Sequence, residues 1–371
     1  MSVRGWRVWT RSDGGGLGVV VEAPKKATVL VLVGSAVYTM SAEAFEQERR
    51  FYRKVLDGYG IMGVLRVSPE DSVLVVVTGV LSVGRLVNEA DVLKLSRLIS
   101  SGSFYFSGSS DYDLTLCSQR RAMGTATDFR FFWNRSLHFP LERYGIDTSE
   151  WLLKCMCGSV LVRTVYVGHR TAKAAIVSRL SCERVGTRFN VRGANDLGAV
   201  ANFVETEQLL IFEDEEVSFV QIRGSIPLFW DQPGLQVGSH KVKLRAFEAS
   251  APAYYRHFYQ LRKLYEDVIV VNLLGSKEGE RMLSDAFKTQ HNKCAADVSF
   301  VSFDYHAEMK SSKENIERLK RQILPHAERH GFFHARKGEI LRTQLGSVRT
   351  NCLDCLDRTN CVQTILGLHT T

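Results

Sequence analysis

Long apolar runs are missing from this sequence. No stretch approaches the roughly 20 apolar residues that a helix needs to cross a bilayer. The strongest candidates, "ATVLVLVG" and "VLVVVTGVLSVG", are short and rich in β-branched residues, so they read as buried strands. The opening "MSVRGWRVWTRSDGGG" lacks the apolar centre of a secretion signal. Proline is scarce, at seven residues in 371, and no low-complexity tract occurs, which excludes long disordered linkers. Eight scattered cysteines are too few for a disulfide scaffold. Nothing recurs at the period of a solenoid. The expectation is a globular chain in a reducing compartment, cytoplasmic or peripheral to endomembranes or the plasma membrane.

What is present is an ordinary apolar fraction, 45%, and a formal net charge of +8. The length suits about two domains, and the charge favours an acidic partner such as nucleic acid, an anionic membrane or a phosphorylated substrate. Residues 1 to about 110 read as mostly strands. A helix is expected through "SAEAFEQERRFYRKVLDGYG", capped by Ser41, with Phe45, Phe51, Tyr52 and Val55 as its apolar stripe. A second is expected through "NEADVLKLSRLISSG". The cluster Phe131, Phe132 and Trp133 reads as packing between two subdomains rather than as a stacking platform for nucleic acid. Beyond about residue 155, strand-like segments such as "QLLIFE", "VSFVQIRG" and "DVIVVNLLG" alternate with longer stretches, one of them the helical "SSKENIERLKRQILPHAERHG". The fold class expected is α/β (α+β): a β-rich subdomain over 1–155 and a catalytic mixed-sheet subdomain over 156–371.

The chemistry concentrates in "VRTNCLDCLDRTNCVQTILGL", residues 348 to 368, at a strand–loop–helix junction. Five residues separate Cys352 from Arg358 and Thr359. A loop of that length can curl its backbone N–H groups around one tetrahedral anion, and the following helix adds the positive end of its dipole. Arg358 can hold two phosphate oxygens, and the field favours the Cys352 thiolate over the free thiol, whose pKa is about 8.5. Attack on phosphorus gives a phosphocysteine that water hydrolyses. Thr359 can donate to the departing sulfur, and Asp354, or alternatively Asp357, can protonate the leaving alkoxide. Two rival readings rest on the Cys352–Cys355 pair. A structural zinc lacks two further ligands nearby, and a redox pair does not call for the arginine that follows. No metal or cofactor is expected.

The longer string "RTNCLDCLDRTN" resembles the signature of the Sac family of phosphoinositide phosphatases at every fixed position. Further blocks of that family are matched by "SRLSCERVGTRFNVRGANDLGAVANFVETEQ", "QIRGSIPLFWDQPGLQVGSH", "VNLLGSKEGE" and "FDYH". Within them "SCERVGTRFN" and "PGLQVGSH" are similar to the Sac module of synaptojanins. The resemblance implies removal of phosphate from inositol rings at the 3- or 4-position, and from 3,5-bisphosphates, without a metal. It further implies phosphoinositide lipids and an anionic membrane surface as partners, no nucleic acid, and a role in endocytic vesicle trafficking. Asn351, Leu353, Cys355 and Leu356 then line the phosphate loop, with Arg349 and Asn360 bracing it. Arg188 and Arg192, with Arg179, Arg184 and Arg223, offer a cationic floor, or else pair structurally with Glu205, Glu207 or Asp196. The segment "KVKLR" (241–245) reads as surface able to meet a membrane. Leu197 and Ala199 depart from the aspartate and histidine usual in synaptojanins and read as surface drift. Family catalytic domains continue beyond the signature, so the chain, ending about eleven residues after it, is expected to be C-terminally incomplete. A phosphoinositide-binding protein without turnover, or a tyrosine phosphatase sharing the loop, are the alternatives.

Overall fold

The computed structural model describes residues 5–13, 16–34, 36–66, 71–84, 89–107, 112–186, 191–232, 242–295, 297–312, 314–351, 353 and 357–370. The chain divides into two compact units, Met1–Leu116 with Ala126–Gly158, and Cys117–Thr125 with Ser159–Thr371.

The first unit holds two antiparallel sheets. One has five strands in the order Ala36–Ser41, Thr28–Val33, Gly16–Glu22, Trp6–Asp13 and Arg53–Gly58. The other joins Ile61–Arg66, Asp71–Val76 and Gly79–Gly84. Alternating Val8, Val19, Val21, Leu30 and Leu32 share one core with Ile61, Leu74, Leu141 and Trp151. Gly63 adopts φ +127°, and a Cβ there would lie 2.4 Å from the Leu137 carbonyl oxygen, so only glycine admits the helix Arg135–Glu142 at that distance.

The helix expected from Ser41 is much shorter than the quoted twenty-residue segment, at 7 residues. Ser41 caps it as predicted, accepting from the Ala44 N–H at 3.1 Å, but it ends at Glu48. After the short 3-10 turn Arg49–Phe51, residues 53–58 form a strand in register with Trp6–Thr10. Tertiary pairing overrides the helical spacing: Phe45 and Tyr52 pack together, whereas Phe51 and Val55 are exposed. The second expected helix is observed as Glu89–Ile99. The aromatic cluster makes ring contacts within this unit, Trp133 against Phe104 and Phe132 against His138.

The second unit is built on a mixed sheet. Ser299–Ser302, Asp267–Asn272, Gly346–Asn351 and Glu215–Gly224 run parallel. The sheet continues antiparallel through Val204–Ile211 and Arg170–Leu180 to Cys155–Val167, a strand that starts in the first unit. Phe333–Arg336 pairs with the start of Glu215–Gly224 and with Glu339–Arg342. Val268, Ile269, Val270 and Val271 are all buried, as a strand covered on both faces requires. Helices Phe247–Tyr265, Glu278–Cys294 and Asn315–His330 connect the parallel strands. Phe219, Ile269, Val348, Ile323 and Val362 form the core beneath the signature segment. Among the described residues no helix is long and apolar enough to cross a membrane.

Candidate active site

The strand Gly346–Asn351 lies between two parallel neighbours, with Asn351 opposite Asn272 on one side and Gly224 on the other. All six of its residues are buried. Its carboxyl end therefore opens at the edge where open α/β sheets bind ligands. The helix Asp357–Thr370 follows directly. Cys352, Asp354, Cys355 and Leu356 lie outside the described residues, as does Arg188. The elements on either side of the loop show what holds it.

Arg358 is the most constrained of the flanking groups. Its two Nη atoms donate to the two carboxylate oxygens of Glu280, each at 2.9 Å, and Nη1 also donates to the Leu273 carbonyl at 3.1 Å. Glu280 stands at the start of helix Glu278–Cys294 and accepts the Gly275 N–H at 2.5 Å. Burial pushes the Glu280 carboxyl up, but the Arg358 and Gly275 hydrogen bonds and the Arg358 charge outweigh it and hold it below the usual range. The guanidinium plane is thus fixed from the strand end Leu273 and from the neighbouring helix.

Arg192 does not lie open as a cationic floor. It is buried, and its Nη1 donates to the carbonyl of Leu353 at 2.9 Å, directly inside the signature loop. Nη2 reaches Gln232 at 3.1 Å, and the guanidinium lies 5.8 Å from the Trp230 ring. Arg184 donates in turn to the carbonyls of Arg192 and Gly193. Arg179 is buried against Glu207 at 2.6 Å and Glu205 at 3.3 Å, the structural pairing that the sequence left open. Arg223 donates to the Asn360 side chain. In the "KVKLR" segment Lys241 lies outside the described residues, and Lys243 and Arg245 are exposed.

Arg349, fully buried, donates through Nε to His257 Nε2 at 3.0 Å and through Nη2 to the Ser225 carbonyl at 2.9 Å. His257 Nδ1 faces the Gly198 carbonyl at 2.8 Å, so the proton sits on Nδ1 and Nε2 accepts. Thr359 is fully buried, whereas Asp357 and Asn360 are exposed in the first turn of the helix. Asp357 is placed where the helix dipole favours an anion. Asn351 is fully buried, and neither atom of its amide has a hydrogen-bond partner among the described residues; the same holds for Asn272 Oδ1 on the adjacent strand. Leu353 is buried. Leu197 is exposed, in keeping with a surface position, and Ala199 is half-buried.

Several contributors escaped the sequence reading. Glu280 lies within the quoted block "VNLLGSKEGE", but no spacing rule links it to an arginine 78 residues later. His257 and Gln232 gave no local signal. Tyr305, in "FDYH", has its phenol pushed up to about 12, first by a hydrogen bond with Cys361, then by burial and by the Cys361 and Asp357 charges.

Residues 88–310 match the model of the SacI homology domain. Over its full length the chain is 56% identical to the synaptojanin of Caenorhabditis elegans, of which it covers 35%. It is 47% identical to human synaptojanin-1 over 99% of its own length and 25% of that protein. A Schizosaccharomyces pombe protein named inositol-1,4,5-trisphosphate 5-phosphatase 1 is 37% identical over 74% of the chain, which covers 27% of it. The chain thus spans between a quarter and about a third of the length of these relatives.

Proposed function

The chain belongs to the SacI homology family, and on that premise we propose that it is a phosphoinositide phosphatase working through Cys352. The observation that carries the reading is Arg358, locked by Glu280 and the Leu273 carbonyl at the carboxyl edge of a parallel sheet, in the first turn of the signature helix. A guanidinium fixed in this way offers a preorganised counter-charge to a phosphoryl group. Arg192, bonded to the Leu353 carbonyl, restrains the backbone at that residue of the signature segment.

In this mechanism the Cys352 thiolate attacks phosphorus in line. The phosphorus–oxygen bond to the inositol ring breaks as the sulfur–phosphorus bond forms, and Asp354 gives its proton to the departing ring oxygen. Asp357, exposed at the first position of the helix, is the alternative donor. Arg358 bears the charge on the equatorial oxygens. Water, deprotonated by the same aspartate, then attacks the phosphocysteine, releasing phosphate and a thiolate to which Thr359 donates. The ring positions served are the 3- and 4-phosphates and 3,5-bisphosphates, in membranes of the endocytic pathway, with the protein peripheral to the bilayer.

Phosphate release from short-chain phosphatidylinositol 4-phosphate tests the proposal. Wild type should turn the lipid over, and Cys352→Ser should not. Equal rates would sink the cysteine mechanism. Lipid binding without release by wild type would favour the second reading, a binding module, which the partial coverage of the relatives keeps in view.

A further inference from the structure

The strands Cys155–Val167 and Arg170–Leu180 are neighbours in the sheet, turned through Gly168 at φ +59°. Only Cys155–Cys157 of the outer strand pair with Phe104–Phe106. From Ser159 to Val167 no residue of it is buried, so side chains on both faces of the pleat meet solvent. Large apolar side chains are among them: Leu161, Val162 and Val167 are each 48% exposed and Tyr166 is 80% exposed. A projecting apolar hairpin end of this kind is unusual on a soluble surface unless it meets something.

Its charge says what. From Trp151 to Cys182 the sequence contains no aspartate or glutamate, while Arg163, His169, Arg170 and Lys173 crowd the hairpin end. Arg170, next to the turn, is paired with Asp214 and Glu215 of the adjoining strand connection, which leaves Arg163 and Lys173 as the cations to account for. Arg163 donates to the Val162 carbonyl and Lys173 to Thr164 Oγ1, and neither has a carboxylate partner among the described residues. Apolar residues and a tyrosine at a tip, with cations set behind them, suit insertion into the headgroup layer of an anionic bilayer. A peptide added along the strand edge would use the backbone and would not call for this charge.

We propose that the hairpin end, Leu161 to Lys173, docks the protein on anionic membrane, with Tyr166 and Val167 entering the interface and Arg163 and Lys173 facing the lipid charge. The choice of a bilayer rests on the lipid-phosphatase reading, so the test separates the two. The 371-residue chain is sedimented with phosphatidylcholine vesicles, with and without phosphatidylserine, and its turnover of water-soluble short-chain phosphatidylinositol 4-phosphate is measured alongside. Wild type should bind the phosphatidylserine vesicles. Tyr166→Asp with Val167→Asp should abolish binding, and Arg163→Ala with Lys173→Ala should weaken it about tenfold or more. Lys288→Glu, at an exposed position on helix Glu278–Cys294, should bind as wild type. Soluble-substrate turnover should be unchanged in every variant.

Undiminished vesicle binding by both hairpin variants overturns the proposal, and that is also the result expected if the strand edge takes a peptide instead. Loss of soluble-substrate turnover together with binding overturns it as well, since the hairpin would then be structural. Hairpin-dependent binding by a wild-type chain without turnover upholds docking while the phosphatase reading fails.

Discussion

Two arginines in the second unit are each held by carboxylates, and the difference between them separates architecture from chemistry. Arg179 is enclosed in the sheet between Glu205 and Glu207, with all three side chains no more than 2% exposed. Glu205 also takes Arg120 at 2.5 Å and the Tyr265 hydroxyl, and Glu207 takes the Ser118 N–H and the Ser218 hydroxyl. Every partner there is committed to the fold. Arg358 meets Glu280, at side-chain exposures of 13% and 12%, beside a strand end. One guanidinium is stitched in; the other is aimed. A buried network that satisfies itself specifies structure, whereas one carboxylate and one carbonyl hold an arginine in place for an incoming anion.

The largest effect should come from breaking the stitched site. Arg179→Met leaves buried Glu207 without its cation and Glu205 with Arg120 alone, and urea unfolding should show a loss of about 3–5 kcal/mol. The pH dependence should also change sign. In wild type, burial pushes Glu207 up but Arg179 and its hydrogen bonds outweigh this and hold it below 4.5. Its stabilisation is therefore complete above the unfolded value and is lost as pH falls through the lower folded one. With Arg179 gone, burial dominates and raises the folded value, so the Glu207 contribution should fall as pH rises. A slope unchanged between the two proteins would refute the assignment.

At the aimed site the order reverses. Arg358→Lys keeps the charge but loses the two-pronged geometry, and turnover of short-chain lipid should fall about a hundredfold. Its unfolding midpoint in urea should move far less than that of Arg179→Met. A smaller effect should follow Glu280→Gln, which keeps shape but releases the guanidinium plane: kcat should drop about tenfold with KM little changed. Equal losses of stability and activity in Glu280→Gln would make it another stitch and dissolve the contrast.

The signature was legible because its residues are neighbours in the chain: the strand and the helix of "TNCVQTILGL" follow from local spacing, although the helix begins two residues earlier, at Asp357. The alternation of strands in the mixed sheet was legible for the same reason. What holds the loop was not. Arg192 meets Leu353 across 161 residues, and Arg349 meets His257 across 92, distances at which no pattern of periodicity reaches. Arg192 carried a cationic label in the sequence, but burial turned that charge toward a backbone carbonyl. The helix after Ser41 misled for the opposite reason, since its spacing was helical while its partner strand lay near the N-terminus.

The position of Gly346–Asn351 in the sheet has a consequence for biosynthesis. It is inserted between Glu215–Gly224 and Asp267–Asn272, both translated well before it. Until it leaves the ribosome, the backbone N–H and C=O groups with which those two strands bind it have no partner strand there. Nascent chains of this unit therefore pass through an interval in which strand edges await a late arrival, the condition under which chains capture one another. The segment that carries the chemistry is the one that closes the sheet, so a polypeptide that has lost its signature strand loses its central fold with it.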